Sequence, residues 1–328
     1  MLAWEVQAGV LELRNVDEPT ANSNDEIVLS PQYMGICGSD RPKLLRPRDF
    51  MLLDTWRPGH EIVGTDTIGR WYCVDPLLPC NKCKFCLNEM SHCCQRLRRI
   101  GWDLPGGFAD LLVVPTSNAH LLPVGLEPLY AVLVDPMAVA VHGLQYCHSP
   151  SPGTLAVIGT GTVGVLSAAY ASELGYDVTL IYRDEHIPSI EFRDTFGFRF
   201  ISYSKCLKYQ QFNFVIDAAS GYTAEPLKFA LRLVQDGGTI VVQNAYHPSV
   251  QLDYPLRDIF RRSIHLVGSF SYGNAGKPTE FQVALDFLTR NAGIAKALVQ
   301  EVGGLSDLRD VIDRRQAGPQ RQVLTARI

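Results

Sequence analysis

The sequence predicts an α/β protein of two domains: a β-rich domain first, then a doubly wound parallel sheet. Three observations carry that prediction. The chain has 328 residues, enough for two domains that each bury a core. Up to about Pro123 its apolar runs are short, alternating and broken by Gly, Pro and Asn. Beyond Leu129, strand-like runs alternate with helical ones, and a glycine-rich turn, Gly159 to Gly164, stands between a strand and a helix.

In order, the alternating runs at Leu2–Val6, Val10–Val16, Glu26–Met34, Ile62–Ile68 and Phe108–Val114 read as strands. Leu129 to Tyr146 is apolar at helical spacing and stops at the Ser-Pro-Ser-Pro-Gly breaker of positions 149–153. A strand at Thr154–Ile158, the glycine turn and a helix at Val165–Leu174 follow, then a strand at Asp177–Tyr182. Further strands are expected at Phe214–Ala218, Thr239–Gln243 and His265–Ser269, with a helix over Glu225–Val234. A helix from Thr279 and a short mixed segment finish the chain. There is no internal repeat and no low-complexity tract.

Composition excludes several classes. The chain is 46% hydrophobic and 20% charged, as globular proteins are, and its net charge of -4 gives no electrostatic case for nucleic acid or an anionic membrane. No apolar run is long enough to span a bilayer; Val163 to Ala171 is short and carries Ser167. The N-terminal residues lack the basic and apolar regions of a secretion signal. Four of the nine cysteines share a metal-like spacing, which suits a reducing compartment, and a cytoplasmic protein is expected.

That spacing is Cys80-x2-Cys83-x2-Cys86-x7-Cys94. Four thiolates so placed can close a tetrahedral shell round zinc on a small lobe at about residues 79–96. A closed all-sulfur shell leaves no position for substrate, so such a site is structural. An iron–sulfur cluster and four unrelated cysteines are the other readings of the spacing. Cys93 is a spare thiol beside Cys94.

The turn Gly159-Thr160-Gly161-Thr162-Val163-Gly164 follows a strand and opens a helix. In that setting the first glycine makes the turn, the second lets backbone approach a pyrophosphate, and the third lets helix pack on strand. The helix N-terminus adds free N–H groups and partial positive charge. The next strand ends in Tyr182-Arg183-Asp184. Tyr182 holds the place where an acidic residue would select a free ribose 2′-hydroxyl, and Arg183 suits a 2′-phosphate. NADP is therefore favoured over NAD, although a one-residue shift would bring Asp184 into the acidic place.

Two polar knots remain, Gly35-Ile36-Cys37-Gly38-Ser39-Asp40 and Gly59-His60-Glu61. Cys37, His60 and Glu61 offer sulfur, nitrogen and carboxylate, and three protein ligands with an open position make a catalytic zinc. These knots, the four-cysteine loop and the nucleotide turn stand in an order that resembles the zinc-containing medium-chain dehydrogenase/reductase family. The likeness covers nearly the whole chain. Within the family it is closest to sorbitol, threonine and other polyol or amino-alcohol dehydrogenases, because Val134-Asp135-Pro136-Met137-Ala138-Val139-Ala140-Val141-His142 resembles their Glu-Pro-Leu-Ala-Val-Ala-x-His helix.

The resemblance implies a GroES-like β-barrel catalytic domain (residues 1–136 and 272–328) with an inserted Rossmann domain (137–271). It implies a catalytic zinc on Cys37 and His60, with Glu61 and Asp135 as direct or water-linked carboxylates, and a structural zinc on Cys80, Cys83, Cys86 and Cys94. Asp40 would orient His60, and Ser39 would pass on the substrate proton. It implies hydride transfer between an alcohol carbon and a nicotinamide, with zinc as Lewis acid, in a homodimer or homotetramer.

Two positions depart from the family pattern. Asp135 is one methylene shorter than the family glutamate, and capping the helix start is its other reading. Pro42 stands where many relatives have a histidine, so the relay from Ser39 needs another exit. His142, two turns along the helix from Asp135, reads as a packing residue, with a polar role on the Asp135 face as its other reading. The stretch from Arg41 to Gly59, with Lys43, Arg46, Arg48, Arg57, Met51, Leu52 and Trp56, is expected at the substrate entrance. It reads as a solvated basic loop or as a surface for an anionic substrate or a sugar ring. Phe270 and Tyr272 are expected at a cleft or an interface.

The expected activity is oxidation of a secondary alcohol of a polyol, sugar, aminocyclitol or similar polar metabolite. The alternative is NADPH-dependent reduction of an aldehyde or ketone in a biosynthetic pathway. A non-catalytic nucleotide-binding protein of the same fold is the third reading, and it is set against the presence of Cys37, Ser39, Asp40, His60 and Glu61 together.

Overall fold

The computed structural model describes residues 1–49, 55–148, 151–206, 211–219, 223–273, 277–314 and 318–326. Met51 and Leu52 lie outside the described residues. The chain divides into two compact units. The first comprises Met1–Asp135, Gly273–Ala317 and Arg321–Ile328; the second comprises Pro136–Tyr272 and Gly318–Gln320.

The first unit is built on the strand Glu26–Ile36. It pairs antiparallel with Glu61–Thr65 on one side and with the chain's last strand, Arg321–Thr325, on the other. The sheet continues through Trp71–Val74 to Ala119–Leu121 at one end and through Val299–Gly304 at the other. Pro31 has no N–H for the ladder, and the register to Glu61–Thr65 shifts between Pro31 and Tyr33. A second, three-stranded sheet joins Val10–Asn15, Leu2–Gln7 and Thr55–Trp56. Inward residues of these strands, among them Trp4, Val6, Met34, Ile36 and Leu324, pack with Leu44, Phe108, Leu308 and Ile312 into one core. That core anchors the short helix Asp40–Leu45 through Leu44.

Three sequence expectations shift here. The run 108–114 becomes a strand only at Leu112–Pro115, because the N–H groups of Gly106, Gly107 and Phe108 bond to the carbonyls of Arg57, Gly59 and Pro58. The run 62–68 ends at Thr65, where Asp66 accepts the N–H groups of Ile68 and Arg70 in a tight turn. The run 129–146 is a 3-10 segment, Pro128–Leu133, followed by the helix Val134–Leu144. Pro136 sits in that helix's first turn, where no intrahelical N–H bond is lost.

The second unit holds the doubly wound parallel sheet that the sequence predicts. Six strands run in the order Arg199–Ser202, Asp177–Tyr182, Thr154–Ile158, Phe212–Asp217, Val234–Val242, His265–Gly268, and every neighbouring pair is parallel. Strand order reverses between Thr154–Ile158 and Phe212–Asp217, the topological switch point where such sheets take ligands. The short edge strand Arg199–Ser202 escapes a sequence reading; it is followed at once by the turn of helix Tyr203–Cys206. No helix among the described residues is long and apolar enough to cross a membrane.

Candidate active site

Strand register assembles the site. Gly35 lies opposite Glu61, and Ile36 lies opposite Gln322. One step beyond these pairs, the three central strands end together, carrying Cys37, His60 with Glu61, and Arg321. The sulfur, nitrogen and carboxylate donors of Cys37, His60 and Glu61 lie within 4.8 Å of one another. Gly35 makes room for them: a Cβ there would collide with the Glu61 carboxylate. Gly59, with φ +102°, turns the chain just ahead of His60 and packs on the backbone of Phe108.

Each donor is held from behind. Asp40 is fully buried; its Oδ1 stands 3.3 Å from His60 Nδ1, and its Oδ2 accepts the Cys37 N–H at 3.3 Å. This leaves Nε2 as the His60 nitrogen that faces the donor set, with Asp135 Oδ2 4.0 Å from it. Asp135 stands in the first turn of its helix and is not one of the three converging donors. Ser39 donates its hydroxyl to Cys37 Sγ at 3.2 Å.

Arg321 is the residue the sequence reading overlooked. It is only 4% exposed, donates to the Ile36 carbonyl at 3.0 Å, and holds Nε 3.0 Å from Glu61 Oε2. No local signal marks it: Arg321-Gln322 precedes only the short apolar pair Val323-Leu324, and its partners lie on strands far away in the sequence.

Buried charges shift all three donors from their ordinary ranges. Burial pushes the Cys37 thiol up, but Arg321 and His60 outweigh it and bring the thiol down to about 7. Burial opposes protonation of His60, yet Asp40 holds its imidazole well above the ordinary range. Glu61 is driven up by burial, against the pull of Arg321. Its Oε1 is buried and accepts no hydrogen bond among the described residues. An unpaired buried carboxylate oxygen beside a thiol and an imidazole fits a zinc ion.

The second metal-like cluster is Cys80, Cys83, Cys86 and Cys94, also within 4.8 Å. Sulfur separations are 3.5 Å (Cys83–Cys86), 3.9 Å (Cys83–Cys94) and 4.0 Å (Cys80–Cys86). A tetrahedron of zinc–sulfur bonds of about 2.3 Å has edges of about 3.8 Å, so the set fits zinc. All nine cysteines are free, and Cys93 is exposed while the buried Cys94 joins the cluster. The Cys80 N–H donates to Cys94 Sγ, and Arg96 approaches Cys80 Sγ at 3.5 Å. A hydrogen bond from the Lys82 N–H lowers the Cys80 thiol to about 6, whereas burial raises that of Cys86 to about 12.

In the second unit, Gly159 takes φ +112° at the end of its strand. A Cβ on Gly164 would strike the Gly159 carbonyl, whereas one on Gly161 would meet nothing within 4 Å. Thus two glycines close the turn and the middle one leaves its face open to a ligand. Thr160 precedes Gly161, which caps the helix Thr162–Glu173; Thr162 donates its hydroxyl to Pro319 O at 3.0 Å, and Val163 lies in the first turn. Tyr182 ends its strand and Arg183 follows, exposed. Asp184 is tied down by Ser204, which donates through both Oγ (2.7 Å) and N–H (3.2 Å).

The remaining expected residues have structural partners. Arg41 donates to the carbonyls of Val311, Ile312 and Arg314, and Trp56 to that of Gly101. His142 is buried, 3.3 Å from the Tyr146 hydroxyl. Phe270 is exposed, whereas Tyr272 is buried.

Comparison with known proteins agrees with this picture. Residues 23–124 match the alcohol dehydrogenase GroES-like domain. The chain is 30% identical over 280 residues to D-altritol 5-dehydrogenase of Agrobacterium fabrum, covering 80% of each chain. It is 24% identical to galactitol 1-phosphate 5-dehydrogenase of Escherichia coli, over 93% of each. A candidate zinc-binding dehydrogenase from Sinorhizobium meliloti 1021, solved with NADP bound, superposes with a TM-score of 0.86 at 25% identity, over 99% of this chain and 98% of that one. The chain belongs to the zinc-containing medium-chain dehydrogenase/reductase family. It is an NAD(P)-dependent zinc alcohol dehydrogenase, an oxidoreductase with a GroES-like and a Rossmann-type part.

Proposed function

We propose that this enzyme oxidises a secondary hydroxyl of a six-carbon polyol or of its acid or phosphate, with NADP as acceptor and two zinc ions per chain. The observation that carries the reading is the convergence of Cys37, His60 and Glu61, with Ser39 beside Cys37 and an unpaired oxygen on Glu61. The names of relatives supply the substrate class: D-altritol 5-, L-galactonate-5- and galactitol 1-phosphate 5-dehydrogenases all act at position 5 of a six-carbon chain.

In this reading Cys37, His60 and Glu61 hold the catalytic zinc, with Asp135 as a nearby carboxylate, and the four-cysteine lobe holds a structural one. Bound zinc supplies Lewis acidity that makes an alcohol proton labile near neutral pH, and the nicotinamide supplies the hydride acceptor. The chain's own residues do the rest. Asp40 fixes the His60 tautomer, Arg321 holds Glu61 in place, and Ser39 takes the substrate proton. Pro42 cannot receive that proton, so the relay from Ser39 would need an acceptor other than the residue at 42, and a bound cofactor's ribose would supply hydroxyls of the kind required.

NADP is supported by Arg183 following Tyr182, while the Asp184 carboxylate is taken up by hydrogen bonds from Ser204. The same preference suits the reverse reaction, reduction of a ketone with NADPH. Domain limits at 1–136, 137–271 and 272–328, a cytoplasmic setting and a homodimer or homotetramer complete the proposal. The edge strand His265–Gly268 and the exposed Leu256, Phe260, Leu266 and Phe270 support the assembly.

The test is a panel of hexitols, aldonates, hexitol phosphates, aminocyclitols and simple secondary alcohols with NAD and NADP, on enzyme of measured zinc content. Turnover restricted to simple alcohols would overturn the polyol reading. A higher kcat/KM with NAD would overturn the cofactor reading. Arg183→Ala should raise the KM for NADP about tenfold or more, as expected for loss of a charged hydrogen bond, and change that for NAD much less.

A further inference from the structure

The stretch 41–57 contains five basic side chains; three have polar partners elsewhere and a fourth, Arg48, packs along the backbone. Arg41 bonds carbonyls, Arg46 pairs with Asp49 at 3.6 Å, Arg57 pairs with Glu5 at 2.6 Å, and the Arg48 side chain lies against Gly9. Lys43 is different. It stands four residues after Ser39 on the helix Asp40–Leu45, so it projects from the same side one turn along. Its Nζ lies 3.0 Å from the centroid of the Trp102 ring, and that ring is 5.8 Å from the His60 ring. Both residues are half-buried.

Among the described residues no carboxylate pairs with Lys43. Arg99 also lies over Trp102, at 5.0 Å, but its charge is met by Asp103 at 2.9 Å. Burial lowers the Lys43 ammonium to about 8; Asp40 and Cys37 oppose that, and Arg99 adds to it. A partly desolvated ammonium resting on an aromatic face is attracted by the ring but has no hydrogen-bond acceptor there for its N–H groups. Such a group is poised to receive an anion, and the indole face beside it is suited to the C–H face of a sugar chain.

We propose that Lys43 and Trp102 form a substrate subsite beside the metal donors, in which Lys43 binds a carboxylate or phosphate of the substrate and Trp102 supports its carbon chain. This rests on the polyol reading and narrows it to anionic polyols. It also separates Lys43 from the rest of the basic stretch.

The experiment compares galactitol, L-galactonate and galactitol 1-phosphate on the zinc-loaded, full-length enzyme, by kcat/KM and, without cofactor, by calorimetric binding. We expect one anionic probe to be preferred over galactitol, and the carboxylate and phosphate arms identify which. Lys43→Met should lower the ratio of anionic to neutral kcat/KM by about 10- to 100-fold, mainly through KM. Lys43→Arg should restore most of it, which a packing role would not require; Lys43→Gln replaces the methionine variant if that one fails to fold. An unchanged ratio in the variants, or anion binding independent of Lys43, overturns the subsite while leaving turnover of polyols intact. Lys43-dependent binding of an anionic probe without oxidation of any probe supports the subsite and counts against the polyol reading alone.

Discussion

The two cysteine-containing clusters of the first unit fit the same ion and differ in almost everything else. The lobe offers four free sulfurs 3.5–4.0 Å apart, which accept hydrogen bonds from a backbone N–H group and from Arg96. The other cluster offers one sulfur, one imidazole and one carboxylate, each backed by a buried charged partner. Four thiolates round a dication leave a doubly negative, electron-rich centre that is a poor Lewis acid. One thiolate and one carboxylate cancel the dication's charge and leave a coordination position for substrate. The contrast teaches that the buried charges Asp40 and Arg321 set the proposed catalytic site apart from the lobe more clearly than its candidate donors do.

That contrast can be broken experimentally, beginning with the largest effect. Cys37→Ala should lower kcat by at least about 1,000-fold, the several kcal/mol a Lewis acid contributes, and reduce bound zinc from two to one per chain. Elemental analysis with steady-state kinetics checks both, and two zincs retained would reject the ligand. Cys83→Ser should also remove one zinc, but its main consequence should be stability: a markedly lower Tm, with the surviving folded fraction still active at low temperature. Were the folded fraction inactive, the lobe would have more than a structural role. Arg321→Met strips Glu61 of its buried cation and should destabilise the protein by about 3–5 kcal/mol in denaturant unfolding; an unchanged stability would show that Glu61 does not depend on Arg321. Asp40→Asn should weaken zinc binding about 10- to 100-fold in a competition assay with a chelator, without altering the lobe site.

A smaller effect outside both clusters serves as a control. Burial raises the Asp217 carboxyl to about 6, against hydrogen bonds from Tyr246 and the Ala219 N–H. The folded chain therefore holds this proton more tightly than the unfolded chain. The group's contribution to stability is present below about pH 4, is lost as pH rises through about 6, and amounts to about 3 kcal/mol. Unfolding of Asp217→Asn across pH 4–7 should lack that decline; an identical slope in both proteins would contradict it.

What the sequence made legible follows sequence distance. The strand, turn and helix at Thr154–Glu173 could be read because the glycines that permit the turn are adjacent to the runs they connect. The donors Cys37, His60 and Glu61 stood out because soft and charged residues cluster between glycines at strand ends. Arg321 could not be read, because its meaning comes from a strand pairing that spans 285 positions. The stretch 41–57 misled for a related reason: charge pattern suggested one basic surface, whereas Arg41, Arg57 and Trp56 are bound to the distant backbone or carboxylates of Val311, Glu5 and Gly101. The strand at Arg199–Ser202 was missed because four residues at a sheet edge carry too little alternation.

The pairing of the last strand with Glu26–Ile36 also orders events during synthesis. The lobe's four sulfurs lie close together in the chain and can gather round a metal as soon as residue 94 has emerged from the ribosome. The working site cannot take its final form until Arg321 to Thr325 arrive, after the whole nucleotide-binding unit has been made. A nascent chain stalled before Arg321 should hold the lobe zinc but lack the clamp on Glu61. Zinc counting on a chain truncated after Gln320, with one ion expected and two excluding this order, tests that timing.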